Sequence, residues 1–211
     1  QDLAPGQIHD ANTTLLAASL REAGAEVVRS RILADSPEDF LAALRRELRQ
    51  ERTDLVVTSG GISKGAYEVV RLALAAEGVS FLSVAMQPGG PQGIGTVDGV
   101  PFLGFPGNPV SALVSFEVFL RPALSALTGL PLPRPAVTAV LDAGTESPEG
   151  KLQVRRGLFR DGRVSLVGGP GSHLIHALAE SNALVLIPEG TGHLEAGAEV
   201  TVIVGFRSKD I

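Results

Sequence analysis

The sequence predicts a doubly wound α/β domain with a mostly parallel sheet, followed by a small β-domain. Over the first two-thirds of the chain, segments with helical periodicity alternate with short apolar runs typical of buried strands. Behind a proline-rich segment at 131–135, only short β-type runs remain. We therefore expect an α/β domain over 1–130 and a β-barrel-like domain over 131–211.

Each element of the first domain has its own signal. Asn12 and Ser36 are placed to cap helices, and Pro37 occupies a first helical position. The segment 87–95 is rich in glycine and proline, so we expect a loop there. The predicted helices are 12–22, 36–51, 66–76 and 109–127, and the predicted strands are 25–30, 54–58, 79–86 and 100–105.

The second domain is predicted from short alternating runs. Asp161-Gly162 lies between two of them, which is a strong signal for a hairpin turn. The predicted strands are 136–142, 152–160, 163–168, 183–188 and 198–204.

Composition excludes several classes of function. The chain has no cysteine, which excludes disulfides and thiolate chemistry. A formal charge of -5 and an aromatic content of 4% argue against a nucleic-acid platform. We find no secretory signal and expect no apolar run as long as a membrane span, so a cytoplasmic setting is expected.

A glycine loop follows the predicted strand 54–58. Consecutive glycines allow backbone N–H groups to converge, and neighbouring hydroxyls add donors, so the loop is a candidate phosphate or oxyanion cradle. Taken alone it is more simply an ordinary β–α turn, and it lacks the spacing of a Walker A loop. The candidate residues are Ser59, Gly60, Gly61 and Ser63.

A second rigid loop follows the predicted strand 100–105. Pro106 and Pro109 fix the backbone, Gly107 permits close approach to a ligand, and Asn108 is a natural helix cap. Ser111 falls in the first turn of the next helix, facing its positive end. The loop offers donors but no base near neutral pH, so it suggests binding; the alternative is a capping device.

Two carboxylates are candidate metal ligands. Asp35 follows the predicted strand 25–30, and Glu68 lies at the start of the helix behind the glycine loop. Together they could hold Mg²⁺ through water while phosphate oxygens complete its coordination; each alone could equally complement a helix N-terminus. His173 and His176 lack a third ligand, so no metal is assigned to them. The G-x-S-x-G motif of α/β hydrolases is absent.

Four segments resemble the molybdopterin molybdenumtransferase family, the MoeA-type enzymes related to the E domain of gephyrin. They read PGQIHDAN at 5–12, SGGISKGAYEVV at 59–70, MQPGGPQGIG at 86–95 and FPGNPVSALVSFEVFLRP at 105–122. The stretches VRRG at 154–157 and GGPGSHLIHALAESNALVLIPEG at 168–190 are similar to that family's last domain. The resemblance implies a MogA-like molybdopterin-binding domain followed by the family's C-terminal β-domain.

The resemblance also implies a reaction and a set of site residues. In this family, molybdate displaces AMP from adenylylated molybdopterin in the presence of Mg²⁺, and the enzymes usually form homodimers. Asp35 and Glu68 match acidic positions linked to metal and catalysis, and Ser111 matches a molybdate contact. The implied cofactor-binding residues are Ser59, Gly60, Gly61, Ser63, Pro106, Gly107, Asn108, Pro109, Arg156 and Ser172.

The chain also departs from the family pattern. Many members carry lysines in the 83–90 segment, where this chain has Ser83, Gln87 and Gly90, and Ala66 replaces a residue that is often acidic. The first strand usual for the domain is not in the sequence, so we expect a fragment. The alternatives are a non-catalytic molybdopterin-binding scaffold and a MogA-type adenylyltransferase; the β-domain argues against the second.

Overall fold

A computed structural model describes residues 9–33, 36–63, 68–130 and 133–205. The chain divides into two compact units. The first unit comprises Gln1–Leu82 and Pro91–Pro131, and the second comprises Ser83–Gly90 and Leu132–Ile211. The short segment Ser83–Gly90 therefore groups with the C-terminal unit, although the sequence-based boundary at residue 130 assigned it to the first domain.

The first unit contains a four-stranded mixed sheet in the order β1-β5-β4-β2. Its strands are β1 (Val56–Ser59), β2 (Val79–Ser83), β4 (Pro91–Val97) and β5 (Val100–Phe105). β1 and β5 run parallel, with Ser59 opposite Phe105, whereas β4 and β5 form an antiparallel hairpin. The expectation of a mostly parallel sheet is therefore not confirmed, because the hairpin places an antiparallel pair of strands inside the sheet.

Helices cover both faces of this sheet. On one face, Phe40 and Leu44 of α2 (Pro37–Gln50) pack with Leu74 of α3 (Val69–Leu74) against Phe102. On the other face, Leu16 of α1 (Ala11–Glu22) packs with Phe105 and with the helix that follows β5. Because side chains alternate along a strand, the apolar run of β5 supplies both cores.

The segment 87–95, predicted as a loop, is mostly strand. β3 (Met86–Gln87) precedes β4, which begins at Pro91. A Cβ on Gly95 would lie 2.3 Å from the carbonyl oxygen of Gly78, and one on Gly93 would lie 3.1 Å from the ring of Phe81. The glycines are therefore needed because neighbouring elements approach closely, which is a known role of glycine inside strands.

The predictions at the N-terminal side need two corrections. Asp10 caps α1, accepting a hydrogen bond from Thr13 N at 3.1 Å, and Asn12 lies inside the helix. The segment 25–30 forms no strand; instead Arg29 makes ion pairs with Glu47 and Glu51 of α2. The cap of α2 at Ser36 is confirmed.

The predicted long helix after β5 is continuous but not uniformly α-helical. It comprises α4 (Pro109–Ser115), a π-helical segment (Phe116–Leu120) and α5 (Arg121–Thr128). By length and composition this helix could cross a membrane, but 56% of its most apolar window is buried within the fold. It also carries a buried ion pair between Glu117 and Arg121, 2.9 Å apart. These features are those of a core helix.

The second unit contains a closed β-structure. Its main strands are β6 (Ala136–Leu141), β8 (Leu152–Arg160), β9 (Arg163–Leu166), β10 (Ala183–Ile187) and β12 (Glu199–Val204). The sheet order is β10-β12-β6-β9-β8-β3, and an additional pairing of β10 with β8 closes the ring around an apolar core.

Most of the β-type runs predicted in this unit are strands. The predicted hairpin turn is confirmed, with Asp161 and Gly162 both at positive φ. The elements not foreseen are short: β7 (Thr145–Glu146), β11 (His193–Leu194) and α6 (Ile175–Glu180).

Candidate functional site

The glycine loop and the proline-glycine loop of the first unit lie side by side. They follow β1 and β5, which are neighbouring parallel strands, so both leave the same edge of the sheet. Gly60 N donates to Phe105 O at 2.9 Å, and Ser59 Oγ donates to Pro106 O at 3.2 Å. The expected convergence of these two loops is therefore present.

The closest approach between the loops is backbone against backbone. A Cβ on Gly107 would lie 3.3 Å from the Cα of Gly60, which is tighter than most such contacts. Gly60 has φ of 90° and Gly61 has φ of 68°, conformations that favour glycine. Glycine at 60 and 107 thus allows the loops to meet without side chains between them, whereas Gly61 lies against Val70 of α3.

Asn12 joins the two loops and was not identified as a site residue from the sequence. Its Nδ2 donates to Ser59 Oγ at 2.7 Å and to Gly107 O at 2.6 Å. The sequence signal was its position in the segment 5–12, but the pattern favoured a helix cap there.

The side chains of the glycine loop differ in exposure. Ile62 is buried in the core beside α3 and anchors the loop, whereas Ser63 is exposed. Arg71 N of α3 donates to Gly61 O at 2.9 Å. Of the predicted donors, the Gly60 N–H is already committed to Phe105 O. A ligand would therefore meet the loop mainly at its far end, around Ser63.

The second loop presents a narrow exposed tip. Gly107 and Asn108 are exposed, while Pro106 before them is buried. Asn108 occupies the cap position of α4 with Pro109 first in the helix, as predicted, but its side chain makes no capping hydrogen bond. Ser111, expected to contact molybdate, is only 4% exposed. The structure thus places the Ser111 hydroxyl beneath the loop surface.

The two predicted metal ligands are not both described. Glu68 occupies the cap position of α3 and makes no capping hydrogen bond through its side chain. Asp35 lies outside the described residues, as do Lys64 and Ala66. Within the described ranges no group of three metal-binding side chains occurs, and His193 instead contacts Glu146 and Glu195.

The second unit holds two adjacent buried arginines on β8. Arg156, 1% exposed, donates to Gly171 O at 3.0 Å and also to Gly169 O. Arg155 donates to Gly168 O and to Thr145 Oγ1, both at 3.1 Å. Burial lowers the pKa of both guanidinium groups, and the charge of Arg155 lowers that of Arg156 further.

These two cations have only neutral acceptors within the described part of the chain. Three of the four acceptors are carbonyls of the glycine-rich loop that leads to Ser172. The arginines therefore hold this loop against β8 and leave a local excess of positive charge under it. Sequence reasoning identified Arg156 and Ser172 but not Arg155.

The segment 83–90 also pairs with β8. Gln87 lies opposite Gln153 in a parallel register, and Gln153 Nε2 donates to Gln87 Oε1 at 3.0 Å. Arg155 is two residues further along the same face of β8. Segment 83–90 is thus adjacent to a strand that carries three arginines, Arg155, Arg156 and Arg160.

Comparison with known proteins agrees with this arrangement. Residues 1–126 match the family described as a "probable molybdopterin binding domain". The chain belongs to this molybdopterin-binding family. Residues 138–204 match a second family, the MoeA C-terminal region (domain IV). Both parts of the resemblance seen in the sequence are confirmed.

Curated relatives of this molybdopterin-binding chain carry one type of name. Molybdopterin molybdenumtransferase 2 of Mycobacterium tuberculosis is 48% identical over 210 residues, covering 95% of this chain and 51% of the relative. Molybdopterin molybdenumtransferase of Haemophilus influenzae is 33% identical over 208 residues, covering 95% and 51%. The chain thus spans about half the length of the curated relatives it matches.

Solved structures give the same result. A molybdopterin biosynthesis MoeA protein from Pyrococcus horikoshii superposes with a TM-score of 0.83 at 27% identity, covering 99% of this chain and 51% of that one. A molybdenum cofactor biosynthesis protein from Pyrococcus furiosus gives 0.75 at 26% identity, covering 93% and 65%.

Proposed function

We propose that the protein containing this molybdopterin-binding chain transfers molybdate into adenylylated molybdopterin and releases AMP. The observation that carries the proposal is the contact between the loops 59–63 and 106–111 at one edge of the sheet, in a chain whose relatives are named for this reaction. The chain provides no base at these loops, and the reaction needs oriented donors more than proton transfer.

In this proposal the two loops bind the pterin and its phosphate. Gly61 and Ser63 supply the backbone and hydroxyl donors for the phosphate, while Ser59 and Gly60, whose donors bind Pro106 O and Phe105 O, shape the loop around it. The rigid tip from Pro106 to Pro109 limits how the ligand lies. Donors fixed in advance in this way stabilise an anion without reorganisation. They are needed here because a net charge of -5 repels anions at long range.

Molybdate, a tetrahedral dianion, requires cationic and hydroxyl partners. Ser111 is the proposed hydroxyl partner beside the second loop, where it is buried just beneath the loop surface. Taken by itself, the second unit offers Arg156 and Ser172 as proposed anion-binding residues. Since Arg156 is engaged with main-chain carbonyls, its role is to hold the loop that carries Ser172 and to supply positive charge beneath it.

Mg²⁺ is proposed on the basis of Glu68 and Asp35. This metal is typically held by one or two carboxylates together with phosphate oxygens and water. Glu68 fits, because it occupies the cap position of α3, the helix that follows the glycine loop, and its side chain is not used in capping. When bound, the metal would neutralise phosphate charge. We also propose a homodimer and a cytoplasmic location, both from the family.

The proposal is tested by AMP release from adenylylated molybdopterin with the full-length protein. Release that depends on added molybdate is expected, and Ser63→Ala should reduce it roughly tenfold by removing a hydrogen bond to a charged group. Ser80→Ala, at an exposed position of β2, is the matched control and should have no effect. Binding of the pterin without molybdate-dependent release would refute the enzymatic proposal and support a scaffold.

A further inference from the structure

We infer that Asn12 is a positioning residue that fixes the spacing between the two ligand-binding loops. The expected effect of Asn12 on ligand binding rests on the proposed function, whereas its expected effect on the loops does not. Three features of Asn12 support this role: the contacts of its amide, the orientation of the amide and the place of the residue in α1.

The amide of Asn12 contacts both loops through one nitrogen. Nδ2 lies 2.7 Å from Ser59 Oγ and 2.6 Å from Gly107 O, so its two hydrogens are used on two different loops. Ser59 and Gly107 are 47 and 95 residues away in sequence. One side chain therefore joins three separate parts of the first unit at the edge where the loops leave the sheet.

The orientation of this amide is determined by its neighbours. A carbonyl oxygen such as that of Gly107 can only accept a hydrogen bond. The single hydrogen of the Ser59 hydroxyl is donated to Pro106 O, so Ser59 Oγ must accept from Asn12. Turning the amide over would place Oδ1 against the Gly107 carbonyl, which is repulsive.

This orientation leaves the opposite end of the amide without a partner. Asn12 Oδ1 is buried and has no hydrogen-bond partner among the described residues. An unsatisfied buried acceptor is costly. The two donor contacts of Nδ2 therefore determine which way the amide faces.

The position of Asn12 explains why the link is rigid. The residue lies in the first turn of α1, a helix of 12 residues capped by Asp10 and packed through Leu16 on the core beside Phe105. The helix therefore holds the amide at a fixed place relative to β5. With Asn12 in place, the loops are held at the separation set by the Gly60–Gly107 contact.

The first test measures the loops without ligand, by hydrogen exchange in the full-length protein. Asn12→Ala should speed exchange in peptides covering 59–63 and 106–111 by roughly tenfold, since two hydrogen bonds are lost. Thr14→Ala is the matched control, because it lies exposed in the same helical turn and brings a comparable gain in helix propensity. Unchanged exchange in both loops for Asn12→Ala would overturn the inference, whatever the ligand is.

The second test measures molybdopterin affinity in a double-mutant cycle with Ser59. Asn12→Ala and Ser59→Ala should each weaken binding roughly tenfold, and the double variant should weaken it by less than the product, because both remove the same link. Asn12→Asp, which has the same shape but no donor, should bind at least as weakly as Asn12→Ala.

The outcomes separate the inference from the proposed function. If the wild-type protein does not bind molybdopterin, the proposed function fails while the exchange result still decides the inference. If the wild type binds and Asn12→Ala lowers the melting temperature but leaves the affinity unchanged, Asn12 is merely structural and the inference is wrong.

Discussion

Gly61 links the glycine loop to α3, and replacing it with alanine should destabilise the first unit in two ways. Its φ of 68° is unfavourable for any residue with a Cβ, which costs about 1–2 kcal/mol. The new methyl group would also lie 2.9 Å from Val70 Cγ2 and 3.1 Å from Val70 N. Overpacking of this kind adds about 1–3 kcal/mol.

Gly129 provides a matched control for the first of these costs. Its φ is 73°, nearly the same as that of Gly61, but a Cβ there would meet nothing within 4 Å. Gly129→Ala should therefore show only the conformational cost, and the loss of unfolded-chain entropy on adding a methyl group is common to both variants. The difference between the two variants isolates the contact with Val70.

The assay is thermal unfolding of the protein that contains this chain. We expect Gly61→Ala to melt about 5 °C below Gly129→Ala, from about 1–3 kcal/mol of overpacking. Val70→Ala in the Gly61→Ala background should recover part of the loss, because it removes Cγ2 but leaves the backbone contact. Equal melting temperatures for Gly61→Ala and Gly129→Ala would refute the idea that α3 holds this loop.

Three further predictions concern charged groups. Glu117→Gln should lower the free energy of unfolding by about 3 kcal/mol, because among the described residues it leaves Glu22 as the one acidic partner of the buried Arg121. Asp98→Asn, in an exposed pair with Arg45, should cost less than about 1 kcal/mol in the same denaturant titration. Arg156→Lys should lose the two hydrogen bonds to the carbonyls of Gly169 and Gly171, and hydrogen exchange in the 168–172 loop should become roughly tenfold faster. Arg160→Lys, exposed on the same strand, is the control and should leave that exchange unchanged. Equal exchange rates in the two variants would contradict the anchoring role of Arg156. The hydrogen bond with Glu146, together with the charges of Glu146 and Glu195, raises the pKa of His193 above its ordinary value of 6.5. This contact therefore stabilises the fold fully below pH 6.5, and the stabilisation is lost as the pH rises through the folded-state pKa. A small fall in melting temperature over that range should therefore disappear in His193→Gln, and a fall that persists would contradict the assignment.

The parts of the fold that could be predicted were those with strong local signals. Ser36 with Pro37 marked a helix start, and Asp161-Gly162 marked a hairpin, because these residues favour particular backbone angles whatever surrounds them. The contact between the two loops could also be predicted, since parallel strands end at a common edge.

The errors arose where distant neighbours decide the structure. Gly93 and Gly95 suggest a loop when only the local sequence is considered. In the structure, glycine is needed at these positions because the ring of Phe81 and the carbonyl oxygen of Gly78 approach them closely. The apolar residues in 25–30 suggested a strand, yet the segment is held by ion pairs to α2. No local pattern can distinguish these cases, because the deciding contacts are with other elements.

The candidate site was predictable only in part for the same reason. Loop residues such as Gly60 and Gly107 were identified because glycine and proline favour particular backbone angles whatever their neighbours are. Asn12 was not, because its partners are far away in sequence and an asparagine near a helix start is usually a cap. The burial of Ser111 and the main-chain contacts of Arg156 likewise depend on packing that sequence patterns do not contain.

The central claim is that the loops 59–63 and 106–111 form one pocket for the pterin and its phosphate. It is tested most directly by hydrogen exchange of the full-length wild-type protein with and without molybdopterin. Both loops should become protected together, with no comparable change in the exposed turn at Asp161-Gly162. Protection of only one loop, or of neither while the ligand is bound, would contradict the claim.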